Sequence, residues 1–350
     1  MGDHSSVVLA STASAAGTAL WHVVAAVGGF LAILLIIFTI VGRVTGRLQR
    51  PLTIVFLLGP AIVLAIIGLV VPAINAIYLS LTNTQATDQK FKIVNGKLVA
   101  NSTKFVGLDN YKYAFSNSDS RTTLIHTLLW IVIVPAASVI IGLVLALLMD
   151  SWKRTALVKT LIFMPTAISF VGATLIWTLV YSYNDPSQPQ TGLLSEVVIK
   201  LGWKHPPNWI LHSPLNSFLL MVILVWIEVG FAMVVLGAAL KAIPEEIIEA
   251  AKMDGANGMT LFRTVQIPMI RNTLVVVTTT IIIATLKIFD IVITATNGNY
   301  DTDVLARKVY DDLFVTNQTG RGAALAVILF ICVVPLVIYN VIQLMRERAR

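Results

Sequence analysis

The chain has 350 residues, 57% of them hydrophobic and only 12% charged, and its mean hydropathy is +0.83. A soluble domain carries about 25% charged residues, so a water-soluble globular protein is excluded. The formal net charge of +7 gathers beside apolar runs, where membrane topology explains it and nucleic-acid binding does not.

Several of those runs reach about twenty residues, enough to cross roughly 30 Å of hydrocarbon. They predict an all-α, polytopic membrane protein with about seven transmembrane helices. Met1 to Thr18 is small and polar, with no cationic stretch before the first run, Leu20 to Val41. That run is expected to be a retained helix and not a cleaved signal. Arg43, Arg47 and Arg50 follow it and place its far end in the cytoplasm, with the N-terminus outside. The second span, Leu52 to Leu81, contains Pro60, Gly68 and Pro72, which predict kinks. In the polar segment 82–122, FKIVNGKLV reads as a β-hairpin turning at Asn95-Gly96, and FVGLDNYKYAF as a short interfacial helix anchored by Tyr111, Tyr113 and Phe115. An irregular external loop is the alternative for both.

The third span, Leu124 to Met149, ends at Asp150 and the basic turn Trp152-Lys153-Arg154. The fourth, Leu157 to Tyr183, holds a kink signal at Met164-Pro165. Asn184 to Ser213 reads as a Pro-rich loop. The fifth span is Pro214 to Leu240 and the sixth Leu274 to Thr296. A polar loop, Asn297 to Gly320, precedes the seventh, Ala323 to Leu344, which ends in Arg346, Arg348 and Arg350. The single cysteine, Cys332, lies within that last run and reads as a small core residue. Threading seven spans from an external N-terminus puts the basic clusters, the C-terminus and the stretch 241–271 on the cytoplasmic side.

That stretch, KAIPEEIIEAAKMDGANGMTLFRTVQIPMIR, is amphipathic and wedged between two apolar runs. Pro244 suits a first helical position, and Glu245, Glu246 and Glu249 put negative charge where the helix dipole favours it. Ile243, Ile247, Ala250 and Ala251 form one small, apolar face. Gly255 fits a helix stop. A second short helix, Thr260 to Gln266, is followed by Pro268. Two short helices of this kind either slot into a groove on another protein or rest on the membrane surface.

Polar groups inside spans are costly, about 2.5–3.5 kcal/mol for a charge on insertion scales. Glu228, in VWIEVGF beside Trp226, either lines a translocation cavity or bonds a neighbouring helix. Lys287 and Asp290, three residues apart, share a helix face and either neutralise each other as a structural pair or contact a sugar directly. Asn75, Tyr78, Thr174, Trp177, Tyr181 and Thr285 are of the types that hold a sugar, hydrogen-bonding groups together with aromatic faces. His4, His22, His126, His205 and His212 form no metal or catalytic motif, and no GxxxxGK[ST] phosphate loop occurs.

Glu249-Ala250-Ala251, then Gly255, Val265, Ile267 and Pro268, resemble the EAA loop of ATP-binding-cassette (ABC) importer permeases, EAA-x3-G-x9-I-x-L-P, with Val for Ile and Ile for Leu. The likeness to maltose-type, type I sugar permeases covers about residues 51–350, leaving 1–50 as an N-terminal segment with an extra helix. Supporting pieces are Phe105-Val106-Gly107-Leu108-Asp109-Asn110-Tyr111 and Lys287-Ile288-Phe289-Asp290. Asn297-Gly298-Asn299-Tyr300 looks like the α-glucoside and glucosylglycerol branch. The resemblance implies a non-catalytic membrane subunit whose coupling loop, with Glu249, Ala250, Ala251, Asp254, Gly255 and Pro268, meets a separate ATPase. It implies a second homologous permease, an ATPase dimer that binds ATP-Mg, and an extracytoplasmic sugar-binding protein. No cofactor is expected in this chain. The cargo it implies is an oligosaccharide or α-glucoside of the maltose, trehalose or sucrose type, carried across a bacterial cell membrane. A competing reading is an ion-coupled secondary transporter using Glu228 or the Lys287/Asp290 pair.

Overall fold

A computed structural model of the chain describes residues 49–83, 91–94, 97–100, 104–150, 156–185 and 187–348, with scattered helical positions between 21 and 39. The expected first span, Leu20 to Val41, falls largely outside these residues, as do the turn Asn95-Gly96 and the cluster Trp152-Lys153-Arg154. The chain divides into two compact units, Met1–Asn75 and Ala76–Arg350.

The expected second span is helical throughout: α1 (Gln49–Ala65), a π-helical turn (Ile66–Val70) and α2 (Val71–Ser80). Pro72 supplies no N–H and its ring crowds the carbonyl four residues back. The chain accommodates it by widening the preceding turn, so that the Val71 N–H reaches Ile66 O. The same device recurs before Pro268, where the Ile267 N–H donates to Phe262 O. These prolines are met by π turns rather than by sharp kinks.

The hairpin is present: β1 (Phe91–Val94) pairs antiparallel with β2 (Lys97–Ala100), with Val94 opposite Lys97. The short helix is present too, as α3 (Asp109–Ser116). Its tyrosines hold it to the protein and not to the bilayer surface as expected. The Tyr111 hydroxyl shares a hydrogen bond with Ser80 Oγ at 2.7 Å, and the Arg321 guanidinium stacks 3.9 Å from the Tyr113 ring centroid. Only Phe115 stays exposed.

The spans that follow are α4 (Ser118–Asp150), a bent pair made of α5 (Ala156–Phe163) with a 3-10 turn (Met164–Ala167) and α6 (Phe170–Val180), then α8 (Leu215–Lys241). Where a single kinked span was expected at Met164-Pro165, the two halves meet at 107°. Ile168 is extended there, and Ser169 caps α6 by accepting from the Gly172 N–H at 3.1 Å. The Pro-rich loop contains a helix, α7 (Leu193–Lys200), pinned by Ser195, which accepts from Trp209 Nε1 at 2.8 Å.

Beyond α8 come α9 (Glu245–Met253), α10 (Gly258–Leu261), a π turn (Phe262–Gln266), α11 (Ile267–Met269), α12 (Arg271–Leu286) and α13 (Asp290–Ala295). The chain ends with α14 (Leu305–Tyr310), a π turn (Asp311–Val315) and α15 (Thr319–Arg348). Among the described residues four helices are long and apolar enough to cross a bilayer, and six spans result if each of two bent pairs counts as one.

The core lies between α4 and α8, around Trp130, Val134, Leu220, Leu224, Ile227 and Leu236. Lipid is as apolar as these side chains, so small residues that let backbones approach are what bring such helices together. A methyl on Gly142 of α4 would stand 2.6 Å from Ala232 Cβ and 2.9 Å from Met233 N of α8. Thr279 Oγ1 of α12 donates to Asn340 Oδ1 of α15 at 2.7 Å and ties those spans together. Gly142→Ala is therefore expected to lower the thermal midpoint of the detergent-purified chain, because overpacking costs about 1–3 kcal/mol. Gly59→Ala in α1, where a methyl meets nothing within 4 Å, is the control and gains helix propensity. An equal response from both variants contradicts the close crossing.

Candidate functional site: an exposed amphipathic segment and an aromatic cluster

The segment 241–271 forms two helices joined by a turn. Pro244 is the N-cap of α9 rather than its first residue, with Glu245 and Glu246 in the first turn. The stop at Gly255 has Schellman geometry: the Ala256 N–H donates to Ala251 O at 2.9 Å and the Gly255 N–H to Lys252 O at 3.0 Å. Gly255 takes φ +87°, which a side chain would strain. The second helix continues through Pro268 to Met269, and the chain then bends 73° at Ile270 into α12.

One side of this segment is built into the protein. Ile243 and Ile270 are buried, and Ile248, Phe262 and Ile267 pack against the same core. The other side is bare. Glu245, Glu246, Glu249, Ala250 and Asp254 are exposed, Met253 is 88% exposed and Met259 61%. Ile247 belongs to the bare side, whereas Ile248 faces the core. Among the described residues Glu245, Glu246, Glu249 and Asp254 make no ion pair. Unpaired carboxylates beside exposed methionines, on a helix whose back is fixed, are suited to a partner with basic groups and an apolar cleft.

Three of the expected path residues come together. Trp177 of α6 lies 5.3 Å from Tyr181 and 5.8 Å from Trp226 of α8, centroid to centroid, the latter edge to face. Tyr181 is buried, and its hydroxyl donates to Leu219 O at 3.0 Å. The two tryptophans remain half-buried. Glu228 stands two residues beyond Trp226, about 200° around the helix, so the two do not share one wall. It is half-buried and has no hydrogen-bond or ion-pair partner among the described residues. Thr174 and Thr285 return their hydroxyls to Phe170 O and Ile281 O of their own helices, and Asn75 and Tyr78 are exposed.

The expected Lys287/Asp290 pair does not form. The helix ends at Leu286 and restarts at Asp290, with Phe289 at φ −131°, so the two residues share no helix face and make no ion pair.

A further set of residues, at the end of the bundle away from the coupling segment, went unnoticed in the sequence. Arg307 Nε and Nη2 bind Asp303 at 2.5 and 3.0 Å, Arg307 Nη1 donates to Asn297 O at 3.0 Å, and Lys308 lies 3.8 Å from Asp312. Burial works against the Arg307 charge, but Asp303, with Asp311 and Asp312, outweighs it and raises the guanidinium. Burial also raises the Asp312 carboxyl, and Lys308 draws it partly back.

The architecture is that of a polytopic membrane protein with an exposed amphipathic segment anchored to the core on one side, and among the described residues no metal-binding cluster occurs. Residues 138–350 match the family of binding-protein-dependent transport system inner membrane components. The chain is 43% identical over 291 residues to the alpha-glucoside transport system permease protein AglF of Rhizobium meliloti, covering 83% of this chain and 82% of that protein. It is 41% identical over 282 residues to the osmoprotective compounds uptake permease protein GgtC of Synechocystis sp., covering 81% and 95%. A chain from the crystal structure of a bacterial ABC transporter that imports the polysaccharide alginate superposes with a TM-score of 0.67 at 19% identity, over 86% of this chain and 99% of that one. The protein thus belongs to the binding-protein-dependent transport permeases, as a non-catalytic, multi-pass inner-membrane component. This membership takes away the ground for an ion-coupled carrier, which also loses its Lys287/Asp290 pair.

The raised Asp312 carboxyl has a pH signature. The folded chain keeps this proton where the unfolded chain has lost it. The group's stabilising contribution is therefore complete below about pH 3.9, the unfolded value, and is lost as pH rises through the folded value. Measured as thermal midpoints in detergent from about pH 4 upward, the stability of the wild type relative to Asp312→Asn is expected to fall with rising pH. A difference that does not vary with pH contradicts the assignment.

Proposed function

We propose that this chain is one permease subunit of an ATP-driven sugar importer, with residues 51–350 as the permease domain. It pairs with a second, homologous permease around a shared path. An ATPase dimer on the cytoplasmic side binds ATP-Mg, and an extracytoplasmic binding protein delivers the sugar. The observation that carries this reading is the segment 241–271: an acidic helix, unpaired and exposed, capped at Gly255 and fixed to the core at Ile243 and Ile270. In this reading Glu249 and Asp254 meet basic groups of the ATPase, and Ala250 and Ala251 allow close approach. Gly255 sets the angle between the two helices, and Pro268 lies two residues before the bend at Ile270 into α12. Closure of the ATPase dimer moves the segment and, through its buried underside, the spans.

The cargo class is a neutral oligosaccharide or α-glucoside. What supports it is the half-buried Trp177–Trp226 pair with the likeness to permeases named for alpha-glucosides and for osmoprotective compounds. Trp226 and Trp177 offer faces to the apolar side of a sugar ring.

Losing one partner of a desolvated interfacial charge pair costs about 2–5 kcal/mol, roughly thirtyfold or more in association. Glu249→Lys is expected to abolish sugar uptake in proteoliposomes while the permease still inserts and folds. Gly255→Val, which forces a side chain into φ +87°, is expected to act likewise. Wild-type uptake in both variants contradicts the proposal.

A further inference from the structure

The loop between α13 and α14 holds four residues at positive φ: Asn297 at 52°, Gly298 at 74°, Tyr300 at 57° and Asp301 at 59°. A bulky side chain such as Tyr300 rarely adopts this conformation. The surrounding structure imposes it. Asn216 Nδ2 donates to Tyr300 O at 2.7 Å, Ser217 Oγ donates to Asp301 O at 3.3 Å, and Thr127 Oγ1 accepts from the Leu305 N–H at 2.8 Å. Each of these bonds holds the backbone and leaves the Tyr300 ring and the Asp301 carboxylate uncommitted. Both side chains are exposed.

They line a cavity of about 310 Å³ whose far wall is the first turns of α4, with Asp119, Thr122, Thr123 and His126. His126 Nδ1 is buried and has no hydrogen-bond partner. Arg307 and Lys308, also in the wall, are engaged by Asp303 and Asp312. The groups of the wall left without a side-chain partner are therefore the Tyr300 hydroxyl and ring and the Asp301 carboxylate, while Asp119 accepts from Ser118 Oγ at 3.4 Å. Two carboxylates in one wall, Asp119 and Asp301, disfavour an anion. Hydroxyl donors for the carboxylates, together with a C–H face for Tyr300, describe a neutral polyol ring. At about 30 Å³ per water the cavity holds roughly ten waters, the scale of one pyranose unit.

We propose that this cavity is a binding subsite for a single neutral sugar ring, placed one span length away from the coupling segment. It rests on the reading of the chain as a sugar permease. The subsite would hold one end of the cargo at the mouth of the path, with the ring against Tyr300 and its hydroxyls on Asp301 and Asp119, beside the His126 imidazole.

The test uses the complete transporter in nanodiscs without its binding protein, probed by saturation-transfer NMR with maltose, trehalose and sucrose. Tyr300→Asn keeps a residue tolerant of positive φ and removes the ring, and His126→Ala removes the imidazole from the wall. Each is expected to weaken binding of at least one sugar by about three- to tenfold, while Gly59→Ala, in open space in α1, leaves it unchanged. Unchanged affinity in both variants, with wild-type uptake intact, overturns the subsite. Binding of tetramethylammonium but of none of the sugars overturns the neutral class. If the wild-type complex with its binding protein imports none of the three sugars, the sugar-permease reading itself fails.

Discussion

The burial of Ile243 and Ile270 at the two ends of the amphipathic segment is the constraint on which the working of this molecule depends. Both side chains sit in the core that joins α4 and α8, and Ile248, Phe262 and Ile267 pack onto it between them. The segment leaves α8 at Lys241 and enters α12 at Arg271. Close-packed interiors have low compressibility and transmit strain. In the proposed function, a displacement of α9 passes through these buried ends to two spans. The carboxylates Glu245, Glu246, Glu249 and Asp254 stand on the outward side and make no ion pair among the described residues.

The opposite end of α8 is fixed with equal care. Asn216 and Ser217, in its first turn, hold the strained carbonyls of Tyr300 and Asp301. Twenty-seven residues of helix, about 40 Å, run from that clamp to the coupling segment, and Trp226 lies between them. Docking segment, aromatic pair and clamped loop are thus mounted on one helix. The small residues along it, Gly230, Ala232 and Gly237, let α4 and the α5–α6 bend approach closely.

What was legible in the sequence was whatever local chemistry decides. Apolar length located the four to six spans seen among the described residues, Asn95-Gly96 located the hairpin, and Gly255 located the turn within the amphipathic segment. What was not legible depends on contacts distant in sequence. Asn216 and Tyr300 are 84 residues apart, so their bond leaves no mark on periodicity. The break between Leu286 and Asp290 contains neither Pro nor Gly, and the i, i+3 spacing of Lys287 and Asp290 suggested a pair that the backbone separates. Tyr111 and Tyr113 have the composition of an interfacial belt, and only packing assigns them to Ser80 and Arg321. Met164-Pro165 signalled a kink, but its size was set by the extended residue Ile168 that follows.

The most direct test of the central claim is amide hydrogen exchange across residues 241–271, compared in the permease pair with and without its ATPase subunits. The account requires strong additional protection of the exposed turns around Glu249 and Gly255 when the ATPase is bound, with little change at the already buried Ile270. Equal exchange of the 245–256 amides in the two states would contradict it.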